Sequence, residues 1–152
     1  MHKQVMDSAA PENSPDALHM AVEQLVRYVR HSTTAGGLSV GASAALSRLS
    51  REGAHRLTEL ARAERVSQPN MTQLVTRMER SGLVRRVADS SDGRGVLVEV
   101  TDAGRELFRL RRADHARALR ELVQELTGPE QEAVMVALPA LARAIQDRQA
   151  RS

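Results

Sequence analysis

The chain predicts a mainly α fold with a small β element, and three observations carry that prediction. Apolar residues recur at helical spacing along most of the 152 residues. The period changes from 3.6 to 2 only between Leu83 and Val100. Helix-capping residue types (Ser14, Ser39, Ser67, Thr101 and Thr127) stand just ahead of the periodic runs.

Composition sets the outer bounds. An apolar fraction of 41% is enough for a core, but Phe108 and Tyr28 are the only aromatics, so Leu, Val, Ala and Met must build it. The net charge of +3 argues weakly for nucleic acid. Lys3 is the only lysine, and arginine favours bidentate phosphate and base contacts, although a GC-rich genome enriches arginine equally well. The absence of cysteine excludes disulfides, thiolate metal sites and thiol redox switching. No run approaches ~18 apolar residues and no signal pattern opens the chain, so no membrane partner and a cytoplasmic location are expected.

In chain order, residues 1–13 read as a disordered polar tail, and 14–152 as a single domain. Ser14-Pro15-Asp16 starts a first helix, with Leu18, Val22, Leu25, Val26 and Val29 at helical spacing to about His31. The Ser32–Gly37 stretch is a loop by composition. Ser39 caps a second helix to about Arg51, whose Gly41–Ala45 stretch of small residues allows close approach of another element. A short helix over roughly Thr58 to Glu64 turns inward Leu57, Leu60 and Ala61, and the Arg65-Val66 link leads to Ser67.

The helix that follows Ser67 is the most informative. Met71, Leu74, Val75 and Met78 fall at i, i+3, i+4 and i+7 and form a buried stripe. The other face carries Gln68, Asn70, Thr72, Gln73, Thr76 and Arg77, side chains able to reach base edges or phosphates. Taken alone, this segment fits an ordinary amphipathic surface helix as well as a DNA recognition helix. Its surroundings decide. Leu83–Ala88 and Val96–Val100 read as two strands around the long turn-former cluster Asp89–Gly95, and such a hairpin directly after a helix-turn-helix is a wing.

Thr101 caps a long helix to about Leu126. Thr127-Gly128-Pro129-Glu130 fits a capping box for the last helix, with Val134, Leu138, Leu141 and Ile145 near a heptad seam and a kink expected at Pro139. The fold is thus a winged helix-turn-helix over about 39–101, with dimerisation helices over about 15–32 and 102–148. The end helices carry apolar stripes with no further element to cover them, which a second copy would bury; the alternative is a monomer in which they wrap their own winged lobe.

With these elements in order, residues 17–148 resemble the MarR family of transcriptional regulators. The resemblance rests on Leu60-Ala61, Val66-Ser67, Thr72, Leu74, Val75, Arg77 and Gly82-Leu83-Val84. Its strongest part is the wing, Asp92-Gly93-Arg94-Gly95-Val96-Leu97-Val98-Glu99-Val100-Thr101, followed by Gly104. It implies a homodimer on double-stranded DNA bearing an inverted repeat, with half-sites ~10 bp apart. It also implies DNA contacts from Ser67, Gln68, Asn70, Thr72, Gln73, Thr76 and Arg77 in the major groove and from Arg94 in the flanking minor groove. Asp92 would orient Arg94. Arg85 and Arg86 suit phosphate contacts or a solvated strand edge equally. Two positions depart from the pattern: Pro69 in the recognition helix, and Arg56, where the family often has a Thr or Ser cap.

Many members of the family respond to small lipophilic effectors. His31, Ser43 and Ser47 are the candidates here, although a capping or surface role suits each better. The scattered histidines (His2, His19, His31, His55 and His115) argue against a metal. No phosphate loop or Ser/His/Asp set supports an enzyme or a cofactor. A sequence-neutral chromosome binder and a protein-interaction module remain as alternatives.

Overall fold

The computed structural model describes residues 14–33, 35–91, 93 and 95–152; the expected tail over 1–13 and the wing residues Asp92 and Arg94 lie outside the described residues. The chain forms two compact units, residues 35–114 and residues 14–33 with 115–152.

The first unit contains α2 (Val40–Glu52), β1 (His55–Arg56), α3 (Leu57–Ala63), α4 (Gln68–Arg80), β2 (Val84–Ala88) and β3 (Val96–Val100), together with the start of α5 (Asp102–Gln124). Its core is aliphatic, as the composition requires: Leu46 and Leu49 of α2, Leu60 of α3, Met71, Val75 and Met78 of α4, and Val84, Val98 and Val100 of the sheet. The small residues of α2 do allow close approach, since a Cβ on Gly41 would lie 3.2 Å from a methyl of Leu74. Arg48 of α2 donates to Glu64 just past α3 and to Glu52 at 2.9 Å, tying the two helices together at the surface.

The sheet has three strands in the order β1-β3-β2, all antiparallel. The sequence reading named only β2 and β3. β1 has two residues, too few to display an alternating pattern, and it exists because His55 and Arg56 pair with Val98 and Leu97. This pairing also moves the start of α3 to Leu57, one residue ahead of the expected Thr58, with Arg56 as its N-cap. The turn into α4 places Arg65 in the left-handed region at φ 54°, and Val66 N–H closes it onto Ala61 C=O at 2.9 Å.

α4 ends at a glycine for a local reason. Gly82 takes φ 74°, which lets its N–H reach Glu79 C=O at 3.0 Å and Leu83 N–H reach Met78 C=O at 2.9 Å. Leu83 and Met78 then share the core, and the chain leaves directly into β2. Thr101 caps α5, accepting from Gly104 N–H at 3.1 Å while its own N–H holds Leu83 C=O at 3.0 Å.

The second unit consists of α1 (Pro15–His31), the remainder of α5 and α6 (Gly128–Ala150). Its caps match the sequence reading: Ser14 accepts from Ala17 N–H at 3.1 Å, and Thr127 and Glu130 form the reciprocal box. α6 remains one helix across Pro139. Neither α1 nor α6 buries a single residue in the lone chain. Leu18, Met20 and Val22 on α1 and Met135, Val136, Leu141 and Ile145 on α6 are all exposed.

Candidate nucleic-acid interface

α4 divides its residues between holding and presenting. Met71 and Val75 are fully buried and Met78 is 2% exposed, so the helix is anchored along one stripe. Leu74 is half-buried against the same core. Ser67 caps the helix, accepting from Asn70 N–H at 3.3 Å. Ser67, Gln68, Asn70, Thr72, Gln73 and Arg77 are exposed together with Pro69. Arg77 has no ion-pair partner among the described residues, which leaves its guanidinium free to meet a base or phosphate.

The two threonines differ. Thr72 Oγ1 donates to Gln68 C=O at 2.9 Å and Thr76 Oγ1 to Thr72 C=O at 2.8 Å, so both hydroxyl protons serve the helix. Thr72 still offers a methyl and oxygen lone pairs outward. Thr76 is half-buried, and its hydroxyl also accepts from Arg86 Nη2 at 3.2 Å. That engagement turns Thr76 toward the wing strands. Arg86 itself is held by Glu79, through its guanidinium at 2.6 Å and its backbone N–H at 3.2 Å, and Arg85 pairs with Glu99 across the hairpin. Both arginines therefore tie elements of the lobe to one another.

At the root of the wing lies a group whose role the sequence reading did not assign. Asp89 is the only polar or charged side chain buried among the described residues. Its Oδ1 accepts from Ser91 N–H at 3.0 Å and Ser91 Oγ at 2.7 Å, the pattern of an Asx turn. Its Oδ2 accepts from Arg56 Nη2 at 2.8 Å and Nε at 3.2 Å. Arg56 thus has a structural partner 33 residues away in sequence, which explains its departure from a capping Thr or Ser. The turn-former cluster was the visible signal for the Asx turn; the distant arginine left none.

These contacts set the charge of Asp89. The Ser91 hydroxyl, then its backbone N–H, then the Arg56 guanidinium hold the carboxyl down to about 2, against burial, which pushes it up. A folded-state value below the unfolded one contributes stability above the ordinary carboxylate range, near ~4, and that contribution is lost as pH falls toward about 2. Removing the Ser91 hydroxyl should raise the titration point. Carboxyl-carbon NMR of Ser91→Ala checks this, and a titration unmoved from that of the unmodified chain would contradict the assignment of the leading donor.

A three-helix lobe with an antiparallel hairpin behind it, presenting a polar helix face beside a wing, defines the winged helix-turn-helix class of DNA-binding proteins. The MarR family profile matches residues 38–96. An HTH-type transcriptional regulator of Mycobacterium bovis is 34% identical over 115 residues, spanning 76% of this chain and 80% of that protein. The chain belongs to the MarR family and is a DNA-binding transcriptional regulator, not an enzyme. Among solved structures, Rv1404 of Mycobacterium tuberculosis shares the fold at a TM-score of 0.76 and 24% identity, covering 85% of this chain and 89% of that one. BpsR of Bordetella bronchiseptica, whose DNA binding is regulated by 6-hydroxynicotinic acid, shares it at a TM-score of 0.60 and 20% identity, with 88% and 96% covered.

Proposed function

We propose that the chain is a repressor that binds an inverted-repeat promoter operator as a homodimer in the cytoplasm. The observation that carries this is the anchored α4, whose exposed Gln68, Asn70, Thr72, Gln73 and Arg77 side chains form a face suited to a major groove. The unburied apolar residues of α1 and α6 support the dimer, which supplies two such helices for two half-sites. Ser67 sets the start of α4 and can itself meet a phosphate. In this reading Arg94 enters the flanking minor groove and Asp92 orients it.

Release by a small effector completes the proposal, with the regulation of BpsR as its support. A shallow open depression on α1 and its C-cap is lined by Gln24, Arg27, Tyr28, His31 and Ser32, so His31 is the effector candidate best placed to meet a ligand. Ser43 instead accepts from Arg111 at 2.9 Å, and Ser47 accepts from Arg51 at 3.2 Å.

The test is selection of bound fragments from the source genome, followed by affinity measurements across a salt series. A steep salt slope with at least ~10³-fold preference for the selected duplex over a scrambled one is expected. Equal affinity for both would replace a specific regulator with a sequence-neutral chromosome binder. On the selected duplex, Gln73→Ala should relax preference at one or two base positions, at about 1–3 kcal/mol per lost bidentate contact. Arg94→Ala should instead weaken every site with A·T flanks while leaving the dimer intact. Uniform losses on all sequences from both substitutions would contradict this division.

A further inference from the structure

The pair at the wing root, a buried Asp89 and a partly exposed Arg56, has a geometry more specific than stability alone requires. A buried carboxylate is costly unless paired, and even a well-paired one adds little net stability over an apolar replacement. The lobe already has a continuous aliphatic core. Asp89 nevertheless holds two directions at once: Oδ1 takes both donors of Ser91, at the start of the loop, and Oδ2 takes two prongs of Arg56, on the strand that flanks β3 from the far side. The loop is also closed behind it, with Asp89 N–H donating to Gly95 C=O at 2.9 Å. Gly95 leaves the pair its space, since a Cβ there would lie 3.1 Å from Asp89 Cβ and 3.4 Å from the guanidinium carbon of Arg56.

We propose that Arg56 and Asp89 are positioning residues for DNA recognition, a clamp that fixes the direction in which the wing leaves the sheet and hence its reach into the groove beside the operator. Neither residue touches DNA in this role. The inference rests on the operator-binding reading above. It adds that wing-dependent affinity is set from β1, an element preceding the recognition helix in sequence. The chelated contact explains why arginine stands at position 56: a lysine would keep the charge but lose one of the two prongs.

The experiment uses the full chain and a duplex selected by it from a random library, prepared with either A·T or G·C flanks. Two readouts are taken for Arg56→Ala, Asp89→Asn and Arg56→Lys. The first is amide hydrogen exchange across 89–95, which needs no DNA. It should accelerate in the alanine and asparagine variants, while α4 stays protected and the melting temperature, lowered by the lost pairing, stays well above the temperature of the binding assay. The second is the ratio of affinities for the two flanks. Loss of the clamp should lower affinity for the A·T-flanked duplex by roughly tenfold and bring the ratio near one, with base preference under α4 retained. Arg56→Lys should fall between, and Arg56→Ala should cost little more in a chain that already carries Arg94→Ala. Variants that keep the flank ratio of the unmodified chain, or that lose affinity equally on both flanks, overturn the clamp while leaving operator binding in place. An unmodified chain that selects no duplex overturns the operator reading itself and the clamp with it.

Discussion

Gly104→Ala should destabilise the winged lobe by about 3 kcal/mol or more, the upper end for overpacking. A Cβ at this position would lie 2.2 Å from the carbonyl oxygen of Leu83 and 2.6 Å from a methyl of Val100. The nearer atom is backbone and cannot swing aside. Nor can the helix lift away cheaply, because the same turn is fastened to the same place: Thr101 N–H donates to Leu83 C=O at 3.0 Å, Thr101 Oγ1 donates to Gly82 C=O, and Gly104 N–H donates back to Thr101 Oγ1 at 3.1 Å. Accommodating one methyl means breaking that set and opening the junction where β2 begins. Urea unfolding at fixed protomer concentration measures the loss, because the stability of a dimer depends on concentration. Gly128→Ala, where an added Cβ would meet no atom from elsewhere in the described chain within 4 Å, is the control and should stay within about 0.5 kcal/mol. A Gly104→Ala chain with an unchanged midpoint would refute the packing argument.

Gly104 also shows where sequence reading stops. The family pattern marked the position, but the reason for glycine is a contact with a carbonyl 21 residues earlier in the chain, which no local pattern encodes. Local chemistry was legible. Ser14, Ser39, Ser67 and Thr127 cap the helices they precede, each through a side-chain oxygen accepting a backbone N–H within the first turn. The stripe of Met71, Val75 and Met78 was equally legible, because helical spacing and burial are two views of one geometry. What escaped depended on partners distant in sequence. β1 is a strand only because β3 passes beside it, and the Arg56–Asp89 pair follows from that pairing. Thr76 sits among exposed neighbours in the sequence, yet Arg86 of β2 reaches its hydroxyl. A helical wheel shows which face a residue occupies, not what crosses over it.

If the chain pairs and binds its operator as proposed, replacing both Leu138 and Leu141 with Glu should yield a monomer and reduce operator affinity by roughly 10²–10⁴-fold. Both side chains are exposed in the lone chain, at 42% and 58%. On a monomeric protein, exposed leucine-to-glutamate changes on a helix would be nearly neutral, within about 0.5 kcal/mol each. The proposed dimer reverses that expectation. Burying these positions against a second copy would put four carboxylates into one apolar seam, each with a desolvation penalty of several kcal/mol. The large apolar side chains of Met135, Val136 and Ile145 on the same helix are exposed as well, so the substitution strikes a helix that the other described residues leave unburied. Loss of DNA affinity then follows without any change in α4: a monomer offers one recognition helix to one half-site and forfeits the effective concentration that links the two. Sedimentation velocity reads the first effect and duplex titration the second. A double variant that sediments as a dimer and binds undiminished would show that the apolar face of α6 lies outside the interface, and the pairing of copies would then have to rest on α1.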